Sequence, residues 1–352
     1  MANDKPADTA VYEKLVQALL PWYRKNARPL PWRRDREPYH VWLSEIMLQQ
    51  TRVEAVRGYY ERFLTALPTI RDLAEAPETQ LFKLWEGLGY YSRVRNLQKA
   101  AKKIMETGGK FPNTYDEIRA LPGIGPYTAG AVSSICFERP RAAVDGNVLR
   151  ITARLTGSEV PIDLPEVKRG VTDALERVHP AGHCGEFTQA LMELGQAVCT
   201  PRSPKCEICP CAAFCRANAA GNAEKLPVRL PKREKRLEQK TVFLLTCAGK
   251  TAIEKRHGKG LLAGMWQLPN VPGHLNANEA LQAAEKLGAK PVALEKELHK
   301  THIFTHIRWE MVGYAIECRE ESGAFVWATP QQLAQEYALP TAFRIFLDAA
   351  QD

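Results

Sequence analysis

The chain has 352 residues, 45% of them hydrophobic and 25% charged, which is the composition of a globular protein rather than a disordered or fibrous one. That length exceeds one ordinary core, so two domains are expected, and no uninterrupted apolar run is long enough to cross a bilayer. The net charge of +8 and a pI near 9.0 favour a polyanionic partner without identifying it. The segment from Met1 to Thr9 lacks the basic-then-apolar layout of a signal peptide, so a cytoplasmic protein is expected.

From about residue 10 to 225 the pattern is helical. Trp42, Ile46, Val53, Val56, Tyr60 and Phe63 fall at helical offsets and predict one amphipathic helix. Further helices are expected near 78–86, 92–107, 114–120, 126–137, 146–156, 165–178 and 185–198, with proline or glycine in most of the gaps. Leu226 to Lys240 holds two prolines and six basic against two acidic residues, a net of +4, and reads as an extended basic linker. Beyond it Thr241–Thr246 and Trp309–Ile316 read as strands, and 277–287 and 330–337 as helices. The expected domains are therefore a helical region at 1–225, a linker at 226–240 and an α+β domain at 241–352.

Five of the nine cysteines fall within seventeen residues. Cys199, Cys206, Cys209 and Cys215 follow the spacing Cys-x6-Cys-x2-Cys-x5-Cys, which suits zinc or an iron–sulfur centre, and spacing alone does not separate them. Cys211 competes with Cys209 as a ligand, and the other four cysteines read as small buried hydrophobes. Upstream, Leu121-Pro-Gly-Ile-Gly-Pro-Tyr-Thr-Ala129 places Gly123 and Gly125 in a turn opening onto a helix, where backbone N–H groups can approach a phosphate. A plain helix-linking turn is the alternative. Asp145, in Ala142-Ala-Val-Asp-Gly-Asn-Val148, reads in isolation as a helix N-cap. Glu45 stands among Leu43, Ile46, Met47 and Leu48, where apolar surroundings would hold its proton; an exposed position on an amphipathic helix is the competing reading.

The cysteine run resembles the [4Fe–4S] loop of the endonuclease III and MutY group of base-excision enzymes, and the 121–129 string resembles their helix–hairpin–helix. The segment Trp42-Leu-Ser-Glu-Ile-Met-Leu-Gln-Gln-Thr-Arg52 is similar to the MutY signature. This resemblance to MutY-type adenine DNA glycosylases covers about residues 12–345. It implies a mainly α helix–hairpin–helix glycosylase region with a [4Fe–4S] loop, followed by an α+β Nudix-like domain. It also implies that Glu45 protonates the flipped adenine, that Asp145 stabilises positive charge at the sugar, and that Tyr127 and Asn147 hold the geometry. Tyr127 occupies the position of the lysine nucleophile in bifunctional relatives, so base removal without strand cleavage is expected.

Further implied roles are Trp32, Arg33 and Gln189 in an adenine pocket, and Leu48, Gln50 and Thr51 near the opposite base. Tyr90 is implied as an intercalating wedge. Phe304, Thr305 and His306 match the loop that recognises 8-oxoguanine, with threonine where many relatives carry serine. Gly264-Met-Trp-Gln-Leu-Pro269 is similar to a Nudix strand and turn, but the following stretch, Glu279 to Gly288, lacks the paired glutamates of a magnesium site, so pyrophosphate hydrolysis is not expected. A metal pair at His302 and His306 would need a helix that their β-branched, aromatic setting disfavours. The implied ligands are one [4Fe–4S] cluster and double-stranded DNA carrying 8-oxoguanine:A or G:A, bound by a cytoplasmic, nucleoid-associated monomer. The competing functions are an endonuclease III-like pyrimidine glycosylase/lyase and a DNA-binding protein with an inert site.

Overall fold

The computed structural model describes residues 9–231, 234–256 and 260–351; Lys232 and Arg233 of the expected linker lie outside them. Its helices in chain order are α1 (Thr9–Asn26), α2 (Pro38–Leu48), α3 (Val53–Ala66), α4 (Ile70–Glu75), α5 (Glu78–Trp85), α6 (Ser92–Glu106), α7 (Tyr115–Arg119), α8 (Pro126–Phe137), α9 (Gly146–Thr156), α10 (Pro165–Arg177), α11 (Cys184–Ala197) and α12 (Arg216–Ala219). There follow β1 (Arg236–Cys247), β2 (Lys250–Lys255), β3 (Trp266–Gln267), β4 (Asn270–Pro272), α13 (Ala277–Lys286), β5 (Pro291–Ile303), β6 (Ile307–Cys318), β7 (Val326–Ala328), α14 (Pro330–Gln335) and α15 (Thr341–Gln351). No helix among the described residues is long and apolar enough to cross a membrane.

The chain forms two compact units: residues 1–75 with 95–231, and residues 76–94 with 232–352. Two expectations are corrected. The stripe from Trp42 to Phe63 is two helices, α2 and α3, because the chain turns after Leu48 and Gln50 adopts φ 60°, in the left-handed region. The stretch read as linker ends early: β1 begins at Arg236, and its polar residues 236–240 are held as strand by parallel pairing with β6, from Arg236↔Ile307 to Thr246↔Glu317. A neighbouring strand satisfies the backbone whatever the side chains are.

In the first unit α1, α9 and α11 enclose a core of Leu15, Leu19, Ile151, Phe187, Leu191 and Leu194. Helix α8 is buried on all sides, every residue from Thr128 to Ile135 being enclosed, and it can be so because its neighbours come close. A Cβ on Gly130 would lie 2.4 Å from the Ala142 carbonyl oxygen, and one on Gly185 of α11 would lie 2.8 Å from Ile135 Cα.

The second unit is a mixed sheet in the order β3-β2-β1-β6-β5, with β4 on β1 and β7 on β2. Alternate residues of β1 feed two cores. Val242 and Leu244 pack with Phe343 and Phe346 of α15, while Phe243 and Leu245 pack with Ala280 and Ala284 of α13. Burial on both faces explains why the strand reads as a continuous apolar run.

Candidate active site

Three helices of the first unit, α2, α8 and α9, carry the predicted catalytic residues. Helix α2 carries Glu45, which is only 4% exposed, so the surface-glutamate reading does not apply. Tyr127 enters from the first turn of α8 and hydrogen-bonds to the Glu45 carboxyl. Burial pushes the Glu45 carboxyl up to about 7; the Tyr127 bond opposes that rise, Asp145 adds to it and Arg33 counters it. The tyrosine's own proton is held well above the usual phenol range by burial and by the two nearby carboxylates. Glu45 is thus a proton holder near neutral pH beside a carboxylate.

Asp145 caps α9. Its Oδ1 accepts from the backbone N–H of Asn147 (2.8 Å) and of Val148 (2.9 Å), and its Oδ2 accepts from Asn147 Nδ2 (2.7 Å). The capping and catalytic readings are therefore compatible: the cap fixes the carboxylate, which remains half-buried at the helix N-terminus. Asn147 is fixed in turn, because its Oδ1 accepts from Arg150 Nη2 (3.0 Å).

A narrow pocket opens beside Glu45, lined by Trp32, Arg33, Leu48, Gln189, Met192 and Gln196 among others. It gathers five predicted residues, Trp32 and Arg33 from the turn before α2, Glu45 and Leu48 from α2, and Gln189 from the distant α11. Tyr23 donates to Gln189 Oε1 at 2.5 Å, and the Arg33 guanidinium lies 5.6 Å from the Tyr23 ring centre. Gln50 is exposed and Thr51 half-buried on the turn after α2.

The glycine turn joins α7 to α8. Gly123 has φ 76°, and a Cβ there would lie 2.5 Å from Asn96 Cβ, so both conformation and space require glycine. Gly125 is the N-cap of α8 and faces open space, which leaves the helix N-terminus accessible.

The cysteine loop leaves the end of α11. Cys199, Cys209 and Cys215 pack against the helical core, and Cys211 is buried at 2% exposure. Burial raises Cys206, and charge on Cys209, Cys215 and Cys199 raises it further, as expected where four thiols share one neighbourhood. A hydrogen bond from Cys211 holds Cys209 down at about 7. Among the described residues no group of three or more His, Cys, Asp or Glu side chains is placed to hold a single metal ion. Sequence reasoning missed what binds this loop to the site. Arg150 donates to the Cys199 carbonyl (2.9 Å) and Arg154 to Cys199 Sγ (3.3 Å) and the Thr200 carbonyl (2.7 Å). Both arginines are buried, and the available signal was two cations four apart in an otherwise apolar helix.

In the second unit Tyr90 is 47% exposed with φ 48°, and its hydroxyl lies 2.6 Å from Thr305 Oγ1. Thr305 and His306 are exposed at the hairpin between β5 and β6, while the Phe304 ring is half-buried between His302 (4.5 Å) and Trp309 (4.8 Å). His302 lies on strand β5, which removes the helical geometry a His302–His306 pair would need. The segment bearing Tyr90 is fastened to the rest of its unit by Glu86, whose Oε1 accepts from the Leu339 N–H (3.1 Å) and pairs with Arg344 (2.8 Å).

The HhH-GPD superfamily of base excision DNA repair proteins matches residues 43–171, and the NUDIX domain matches 241–349. An adenine DNA glycosylase of Rattus norvegicus is 32% identical over 97% of this chain and 79% of its own length; that of Homo sapiens is 33% identical over 88% and 68%. The chain belongs to the adenine DNA glycosylase family. Among solved structures, a thermostable thymine-DNA glycosylase matches 61% of this chain and 99% of its own at 28% identity and TM-score 0.56. An endonuclease III bound to DNA matches 60% and 97% at 24% identity and TM-score 0.51, a likeness of fold. Membership makes the chain a DNA glycosylase with a helical HhH-GPD region and a Nudix-like C-terminal unit.

Proposed function

We propose that the chain removes adenine paired with 8-oxoguanine, and less efficiently with guanine, by hydrolysing its N-glycosidic bond in duplex DNA. The observation that carries this reading is Glu45, a buried carboxyl pushed up to about 7 beside a fixed carboxylate, in a pocket with Trp32, Arg33 and Gln189. Neutral adenine is a poor leaving group. Glu45 gives its proton to a ring nitrogen, the bond from the sugar carbon to the base breaks, and the electron pair leaves with the protonated base. Asp145 stabilises the resulting oxocarbenium ion, or bonds to it briefly, and Tyr127 and Asn147 hold the two acids in place. Water then adds to the sugar and loses a proton to Glu45, which restores the acid. Tyr127, standing where a lysine would attack the sugar, supports release of an abasic site without strand cleavage.

In the same reading, backbone groups at Gly123 and Gly125 grip phosphate while Leu48, Gln50 and Thr51 lie near the orphaned base. Tyr90 wedges into the stack, and Phe304, Thr305 and His306 read the oxidised base. The helical region and the Nudix-like unit, joined by the basic segment that starts at Leu226 and ends where β1 begins, act on DNA as a monomer in the cytoplasm, at the nucleoid. Cys199, Cys206, Cys209 and Cys215 are the residues that would hold one [4Fe–4S] cluster. The fit rests on their donor set: four thiols in one neighbourhood whose charges oppose one another, with their loop pinned by Arg150 and Arg154. When bound, the cluster would supply a cross-link that holds the loop.

The test is a single-turnover assay on duplexes carrying 8-oxoguanine:A, G:A and thymine glycol:A, scored for strand breaks before alkaline treatment. Excision of adenine from the first is expected, with the strand left intact. Excision only from the thymine glycol duplex would favour the pyrimidine glycosylase/lyase, and no excision from any duplex would leave a DNA-binding protein.

A further inference from the structure

We propose that Glu193 on α11 is a positioning residue for this reaction, holding Arg33 in the pocket wall and keeping the charge of that arginine off Glu45. The inference rests on the acid role of Glu45 proposed above. Glu193 is a carboxylate only 1% exposed, packed on the helix that carries the core residues Phe187, Leu191 and Leu194. Its Oε2 meets Arg33 Nη1 at 2.7 Å, and it also pairs with Arg28, whose second nitrogen reaches Oε2 at 3.2 Å and the Gln196 side chain at 2.7 Å. Gln189, Glu193 and Gln196 stand at offsets of four and seven, one polar stripe on a single helix face. Two members of that stripe line the pocket directly, and the third reaches it through Arg33.

The groups facing Glu45 are Tyr127 from α8, Asp145 from the cap of α9 and Arg33 from the turn before α2, with the Cys136 thiol also close on α8. Those facing Arg33 are Glu193, Glu45 and Tyr23, and beyond Tyr23 the Arg24–Glu186 ion pair. Among the described residues Arg33 is the one cation acting on Glu45, and it favours the ionised form, which cannot donate a proton. A guanidinium fork engaged by Glu193 has spent its strongest contact elsewhere. Without Glu193, Glu45 is a carboxyl within reach of its field, and Arg33 is free to turn toward it.

The experiment is the pH dependence of single-turnover adenine excision from 8-oxoguanine:A duplex by wild type, E193Q, E193D, R33Q and the double variant R33Q/E193Q. Glu45 donates only while protonated, so its titration is the basic limb. E193Q is expected to move that limb to lower pH by roughly half a unit or more. E193D, which keeps the charge, is expected to leave it in place; R33Q is expected to move it to higher pH, and the double variant to follow R33Q. A role confined to folding would change amplitude and leave the limb still. If E193Q does not fold, E193D and R33Q decide: a displaced limb in the first, or an unmoved or acid-shifted limb in the second, overturns the inference. An unmoved limb in folded E193Q overturns it too. A wild type without a basic limb would instead remove the acid role of Glu45, and the inference with it.

Discussion

Glu45→Gln is expected to abolish excision and, at alkaline pH, to make the protein more stable. Burial holds the folded-state carboxyl at about 7 against an ordinary 4.5. Between those values the folded chain binds a proton that the unfolded chain has released, so stability falls as pH rises through that window. At about 1.4 kcal/mol per pH unit, the wild type carries a penalty on the order of 3 kcal/mol above pH 7 and none below about pH 4.5. Glutamine carries no such penalty and still offers Tyr127 an acceptor.

Urea unfolding of both proteins at pH 4.5 and pH 8 measures this directly, because every other titrating group is common to the two. The advantage of the glutamine variant should grow by on the order of 3 kcal/mol between the two conditions. An advantage of the same size at both pH values would refute the claim that burial holds the proton on Glu45. The same group sets the wild-type rate profile: excision should be level below about pH 7 and fall roughly tenfold per unit above it. A level rate through pH 9 would remove Glu45 as the acid.

Three further outcomes are expected. Tyr127→Phe removes the hydrogen bond that opposes the rise at Glu45, so the basic limb should move to higher pH, read in the same excision assay. Cys209→Ser should lower the iron content and visible absorbance of the purified protein, measured colorimetrically and by spectrum, whereas Cys318→Ser, buried in the second unit, should change neither. Gly130→Ala places a methyl 2.4 Å from the Ala142 carbonyl oxygen, an overpacking worth about 1–3 kcal/mol. It should lower the melting temperature by several degrees and slow excision, since residues 142–144 lead into Asp145.

The sequence carried the helices, the central strands and the cap at Asp145 because each has a local cause, whereas the roles proposed for Glu45, Tyr127 and Asn147 rested on the family resemblance. Helical spacing marks α6 and α10, a continuous apolar run marks β1, and an Asp before Gly-Asn marks the cap of α9. The stripe from Trp42 to Phe63 misled because a period of 3.6 survives a short turn, and only the φ of Gln50 reveals the break. Glu193 left no trace, since its meaning lies in Arg28 and Arg33, some 160 residues earlier. The grouping of residues 76–94 with the C-terminal unit is of the same kind: Glu86 acquires its role from Arg344 and the Leu339 N–H. Long-range polar pairing has no period and no spacing, so hydrophobic patterning is blind to it.

The arginines of α9 link the cysteine loop to the carboxylate that caps the same helix. An Asn side chain offers one carbonyl oxygen and one amide nitrogen, and its two orientations are nearly equal in shape. Arg150 occupies the oxygen of Asn147, which leaves the nitrogen to face Asp145 Oδ2. The same guanidinium donates to the carbonyls of Gly195 and Cys199, so its position depends on where α11 ends and the cysteine loop begins. Arg154, one turn later, adds contacts to Cys199, Thr200 and Pro201. Any displacement of that loop is therefore felt by Arg150, then by the orientation of Asn147, and then by Asp145. A cross-link among the four cysteines would fix the loop end of this chain of contacts, and Asp145, the carboxylate proposed to meet the sugar, lies at the other end.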